Sequence, residues 1–120
     1  MSLKGLGWLG VRTDRFEETV SLYRNLFGLD PFHENETSAR FRLGDGTELH
    51  VYGPADTDHE FFGTAPVVGL VVDDVPALRR RMEAAGVEFL TPVERAGRTA
   101  WCHLRGPDGN VYEIISREQD

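Results

Sequence analysis

Two stretches of this 120-residue chain carry the same signals in the same order, and that repetition constrains the fold more than any other feature. The first runs Leu9-Gly10-Val11-Arg12-Thr13-Asp14, then an amphipathic stretch, then Phe27-Gly28-Leu29. The second runs Val68-Gly69-Leu70-Val71-Val72-Asp73, an amphipathic stretch, then Ala85-Gly86-Val87. Each copy continues with an alternating strand segment, an Asp-Gly turn (Asp45-Gly46 and Asp108-Gly109) and a final strand. Two copies about 60 residues apart make a duplicated module, because a solenoid needs at least three.

Local signals give each copy the order β-α-β-β-β. Residues 6–12 alternate in a strand-like way, and 67–72 is an apolar run rich in valine. Asp14 with Glu17 offers a capping box, after which Phe16, Val20, Tyr23 and Phe27 recur at helical spacing until Gly28 stops the helix. In the second copy Asp74 is the predicted N-cap, Pro76 falls in the first turn, and Leu78, Met82 and Ala85 form the apolar stripe before Gly86. The Asp-Gly pairs suit tight hairpins, whose central residues need positive φ. The expected fold class is therefore α+β, a single domain over 1–120. Two tandem βαβββ modules, about 4–54 and about 66–117, place helices outside and fold their sheets into an open cup. A Pro/Gly/Asp-rich linker over about 53–66 joins them.

Composition narrows the function classes. A net charge of −7 leaves no broad cationic surface for nucleic acid or an anionic membrane. The one basic run, Arg79-Arg80-Arg81, fans around a helix and reads as solvated. Cys102 is alone, so neither an intrachain disulfide nor a cysteine-based zinc site is available. No apolar run reaches the roughly 20 residues of a membrane span, and no signal-peptide pattern opens the chain. A reduced cytoplasmic compartment is the expectation.

The segments Val11-Arg12-Thr13-Asp14, Leu22-Tyr23-Arg24-Asn25-Leu26-Phe27-Gly28-Leu29, Val72-Asp73-Asp74-Val75 and Gly106-Pro107-Asp108-Gly109-Asn110-Val111-Tyr112-Glu113 come in an order that resembles the glyoxalase I / bleomycin-resistance / extradiol dioxygenase superfamily. The resemblance covers nearly the whole chain. It implies a homodimer and, in members with metal chemistry, ligands on the first and last strands of each module. Counting from the motifs, those four positions are Trp8, His50, Val67 and Glu113. Indole has no useful lone pair and valine no donor atom, whereas a catalytic metal generally takes three protein ligands. Glu48 and His103 are the substitute donors within reach of the pattern, so the expectation is no metal and no cofactor.

Glu48, His50 and Tyr52 alternate on one strand and share a face. Trp8 reads either as a core residue filling the cup or as a platform for a flat ligand, and Val67 as core lining. Glu113 lies among apolar neighbours and needs a partner. A structural pair with Arg12, a hydrogen bond with His50 and an acid–base pair with His50 all remain open; in the acid–base pair the Glu113 carboxylate raises the imidazole pKa. Arg12 shares the Trp8 face and suits an anionic ligand, though the structural pair with Glu113 is the preferred reading. His33 and His59 fall in polar stretches and read as solvated. Trp101 and His103 share a strand face.

The resulting expectation is a metal-independent protein that binds a small, partly aromatic molecule through Trp8, Arg12, Glu48, Tyr52, Val67 and His103. His50 and Glu113 are the candidate catalytic pair. The alternative is a metal-dependent lyase, isomerase or dioxygenase using His50, Glu113 and a substitute ligand.

Overall fold

The computed structural model describes residues 3–63 and 65–118; position 64 of the expected linker lies outside them. Its class is mixed α+β, with nine strands among the described residues. The chain divides into two compact units, one spanning Trp8–Val67 and the other comprising residues up to Gly7 with those from Val68 onward.

In the first unit, β1 (Gly5–Arg12, from Trp8) leads to helix α1 (Phe16–Ser21) and a π-helical turn (Leu22–Leu26). Strands β2 (Pro31–Glu34), β3 (Ser38–Arg42) and β4 (Glu48–Tyr52) follow. They lie in the order β2-β3-β4-β1, with β4 parallel to β1 and antiparallel to β3. Alternation then divides the residues. Val20 of α1 packs with Ala39, Phe41, Leu49 and Val51, and Leu9, Val11, Phe16 and Tyr23 complete that core. Trp8, Gly10 and Arg12 of β1, Arg40 and Arg42 of β3, and Glu48, His50 and Tyr52 of β4 point the other way.

Helix α1 departs from expectation at both ends. Asp14 does not cap it: the N-cap is Arg15, without a side-chain cap, and Thr13 Oγ1 accepts the Arg15 N–H at 3.0 Å. At its other end the chain widens into π geometry, closed by the Phe27 N–H donating to the Leu22 carbonyl at 3.1 Å. The wider turn carries Phe27 out of the predicted stripe. It is 66% exposed and stacks on Tyr23.

The second unit holds β5 (Val67–Val71, from Val68), α2 (Val75–Ala84), β6 (Glu88–Phe89), β7 (Glu94–Ala96), β8 (Thr99–Arg105) and β9 (Val111–Arg117). Here β5 runs parallel to β9, β9 antiparallel to β8, and both β6 and β7 pair with β8. One expected strand is thus split in two. Pro92 lies in the gap and has no N–H for the ladder. Thr91 repairs part of the break, its Oγ1 accepting the His103 N–H at 2.9 Å.

Helix α2 begins as predicted, Asp74 Oδ1 accepting from the Ala77 N–H at 3.0 Å. Its Val75 packs with Val72, Ala100, Cys102, Leu104 and Ile114. The basic run is not wholly solvated. Arg79 lies over Phe89 at 4.5 Å, reaches Glu83 and donates to the Thr91 carbonyl at 2.6 Å, while Arg80 and Arg81 are exposed. No helix among the described residues is long and apolar enough to cross a membrane.

Candidate functional site

The strand face opposite α1 carries a chain of hydrogen bonds through one imidazole. His50 Nδ1 lies 3.0 Å from Tyr52 Oη, and His50 Nε2 lies 2.9 Å from Glu48 Oε1. Residues two apart on β4 make both contacts, so the strand's own period builds the arrangement. Burial pushes the His50 pKa below its ordinary value; the hydrogen bond to Glu48 works against this, and the Arg40 charge adds to the depression. Burial thus favours the neutral imidazole, and the carboxylate that opposes it is Glu48. Burial works to raise the Glu48 carboxyl, but its bonds to His50 and Arg42 outweigh that and hold it below the usual range. An ionised Glu48 accepts the Nε2–H, leaving Nδ1 to accept the tyrosine hydroxyl hydrogen.

Aromatic rings crowd this imidazole. Trp8 is 8% exposed and meets His50 edge-on, ring centres 5.4 Å apart. Its indole lies across Gly10, where an added Cβ would stand 2.0 Å from Trp8 Cη2. The expected linker contributes rings of its own. A 3-10 turn (Glu60–Phe62) buries Phe62 against Trp8 and Tyr52, and His59 stacks on Tyr52 at 3.8 Å. His59 is thus not solvated as expected, and Asp56 Oδ1 lies 3.0 Å from its Nδ1. His33 is exposed, but on β2 and not in a loop.

Arg12 shares the Trp8 face, and its guanidinium donates to the carbonyls of Pro54 at 3.4 Å and Asp56 at 3.2 Å. It straps the residues after β4 back onto β1. Val67 is buried.

Glu113 has a partner in its own unit. His103 Nε2 lies 3.2 Å from Glu113 Oε1, both residues are buried, and they stand opposite each other in the β8–β9 register. The sequence paired Glu113 with Arg12 or His50 and kept His103 as a spare donor. Cys102, next along β8, faces the α2 core, and burial raises its thiol pKa.

A family model described as Glyoxalase/Bleomycin resistance protein/Dioxygenase superfamily matches residues 5–114. The chain belongs to this superfamily. Methylmalonyl-CoA epimerase from Mycobacterium tuberculosis is 18% identical with a TM-score of 0.72, the match covering 98% of this chain and 90% of that one. A Streptomyces coelicolor methylmalonyl-CoA epimerase variant in complex with 2-nitronate-propionyl-CoA is 20% identical with a TM-score of 0.69, covering 98% and 100%. The Mn(II)-bound glyoxalase from Novosphingobium aromaticivorans is 21% identical with a TM-score of 0.74, covering 98% of this chain and 42% of that longer one. No curated protein matches the chain.

Metal-bound superfamily members raise the question of fit. Of the four positions named by the motifs, Trp8 and Val67 offer no donor. At the third, both ring nitrogens of His50 already have side-chain partners. Among the described residues, no three His, Cys, Asp or Glu side chains are grouped so as to hold a metal ion. The residues present do not fit a divalent metal at these positions.

Phe32, Arg40, Arg42 and Phe62 escaped the sequence reading, and His59 was read as solvated. Arg40-Phe41-Arg42 alternates with period two, which is the signal that two arginines share the His50 face. Phe61-Phe62 inside a polar linker was the other signal, since adjacent rings gain too much from burial to stay in water.

Proposed function

We propose that this superfamily member is a metal-independent small-molecule-binding protein. Its ligand rests on the strand face of the first unit, with Trp8, Tyr52 and Val67 as apolar support and Arg12, Glu48 and His50 as polar contacts. His103 and Glu113 form the corresponding polar pair of the second unit. Any proton transfer falls to His50 and Glu113, each held by a partner of its own. The observation that carries the reading is the engagement of both His50 nitrogens by Tyr52 and Glu48, beside an indole at another position that the resemblance implies for a ligand.

The test is elemental analysis of protein purified without a histidine tag. The expected result is less than about a tenth of a mole of Zn, Ni, Mn or Fe per chain, and no rise in Tm on adding any of them. About one mole per chain with a metal-dependent Tm overturns the reading in favour of a metal-dependent lyase, isomerase or dioxygenase. The same reading makes the protein cytoplasmic and homodimeric. Light scattering should give twice the 13.5 kDa chain mass.

A further inference from the structure

The first unit carries two arginines beside the hydrogen-bond chain through His50. Arg40 stands opposite His50 in the β3–β4 register and Arg42 opposite Glu48. Alternation with the buried Ala39 and Phe41 sends both guanidinium groups to the His50 side of the strands. Both are exposed. Arg42 lies 4.4 Å from the ring centre of Phe32, a ring that is itself 44% exposed and near His50. Its Nη2 reaches Glu48 Oε2 at 3.5 Å, the outer limit of a hydrogen bond.

Charges around this edge do not cancel. Glu48 is the carboxylate opposite Arg42, and its other oxygen already takes the Nε2–H of His50. Glu34 of β2 is turned to Arg24. Arg40 is felt at His50 as a positive charge, and the neutral imidazole between the strands adds none of its own. A chain of net charge −7 thus sets two cations side by side next to an accessible ring. Planar guanidinium forks match a carboxylate in shape and in hydrogen-bond direction.

We propose that Arg40 and Arg42 form the anion-recognising edge of this site. Its ligand is a planar molecule bearing a carboxylate, with its ring against Phe32 and its anionic end between the two guanidinium groups. The assignment rests on the reading that a small molecule binds this face, and it fixes the sign of that ligand's charge.

Three probes of one shape test it by isothermal titration: 2-naphthoate, 2-naphthamide and 2-naphthylmethylammonium. The wild type should bind the carboxylate at least about tenfold tighter than the amide, as charge-assisted hydrogen bonds imply, and the ammonium weakest. Raising the salt should erode the preference. Arg40→Gln and Arg42→Gln, both on exposed positions, should each reduce it and together abolish it. Equal affinities, preference for the ammonium, or a preference that survives both substitutions overturns this proposal and leaves small-molecule binding standing. Failure of all three probes to bind removes the binding reading itself, and this proposal with it.

Discussion

His50 sits between a tyrosine hydroxyl and a carboxylate, buried deeply enough that its neutral form is favoured. The unfolded chain takes up a proton at this ring near pH 6.5 where the folded chain does not, so stability falls as pH drops below that value. Glu48 acts in the same direction further down. Its folded pKa lies below the ordinary 4.5, and its contribution is lost as pH falls through the folded value. Denaturant midpoints measured against pH should therefore decline from about 6.5 downward, and His50→Gln should flatten the upper part of that decline. An unchanged profile in the variant would contradict a buried neutral imidazole. Gly10→Ala offers a second residue-scale test, because the new Cβ meets the indole. It should cost about 1–3 kcal/mol and shift the tryptophan emission; an unperturbed spectrum and stability would mean that Trp8 does not lie over Gly10. Sequence spacing alone put Glu48, His50 and Tyr52 on one face, because a strand's period is short and local. It did not reveal that Glu113 meets His103, since that contact depends on the register between β8 and β9.

Helix α2 was legible because its boundaries are set by residues inside it: the Asp74 cap, Pro76 in the first turn, and Gly86 with φ 91°. Asp74→Ala should lower stability by about 1 kcal/mol in chemical denaturation. A contact invisible in the sequence also fixes this end. The Val75 N–H donates to the buried Ser116 Oγ at 3.0 Å across 41 residues. Ser116→Ala leaves that N–H in an apolar site and should cost about 1–3 kcal/mol; a smaller loss would mean another acceptor replaces the hydroxyl. Helix α1 was read less well, because the extra residue in the hydrogen-bonded loop from Leu22 to Phe27 rotates everything after it. The linker was misread for a related reason. Proline, glycine and aspartate mark irregular backbone, and irregular backbone can still lie against a site, as Arg12, His59 and Phe62 make it do.

Across the whole chain the duplication carried the fold class, since the order of strand, helix, glycine stop and Asp-Gly turn is written twice. Superfamily membership follows from the same order over residues 5–114. The second copy's split strand was not legible from the pattern, because Pro92 interrupts a ladder whose partner is found only on folding. Function is harder to read than fold because the motif order that marks the family does not state what its site residues do. Of the four positions the resemblance implies for ligands, two hold an indole and an isopropyl group, and a third holds an imidazole bonded to its own neighbours. The most direct test is an NMR titration of 15N-labelled, tag-free protein with 2-naphthoate in excess EDTA. Binding without metal predicts saturable shifts centred on β3, β4 and the Trp8 indole N–H. Shifts that emerge only after a divalent metal replaces the chelator, or that centre elsewhere, would contradict it.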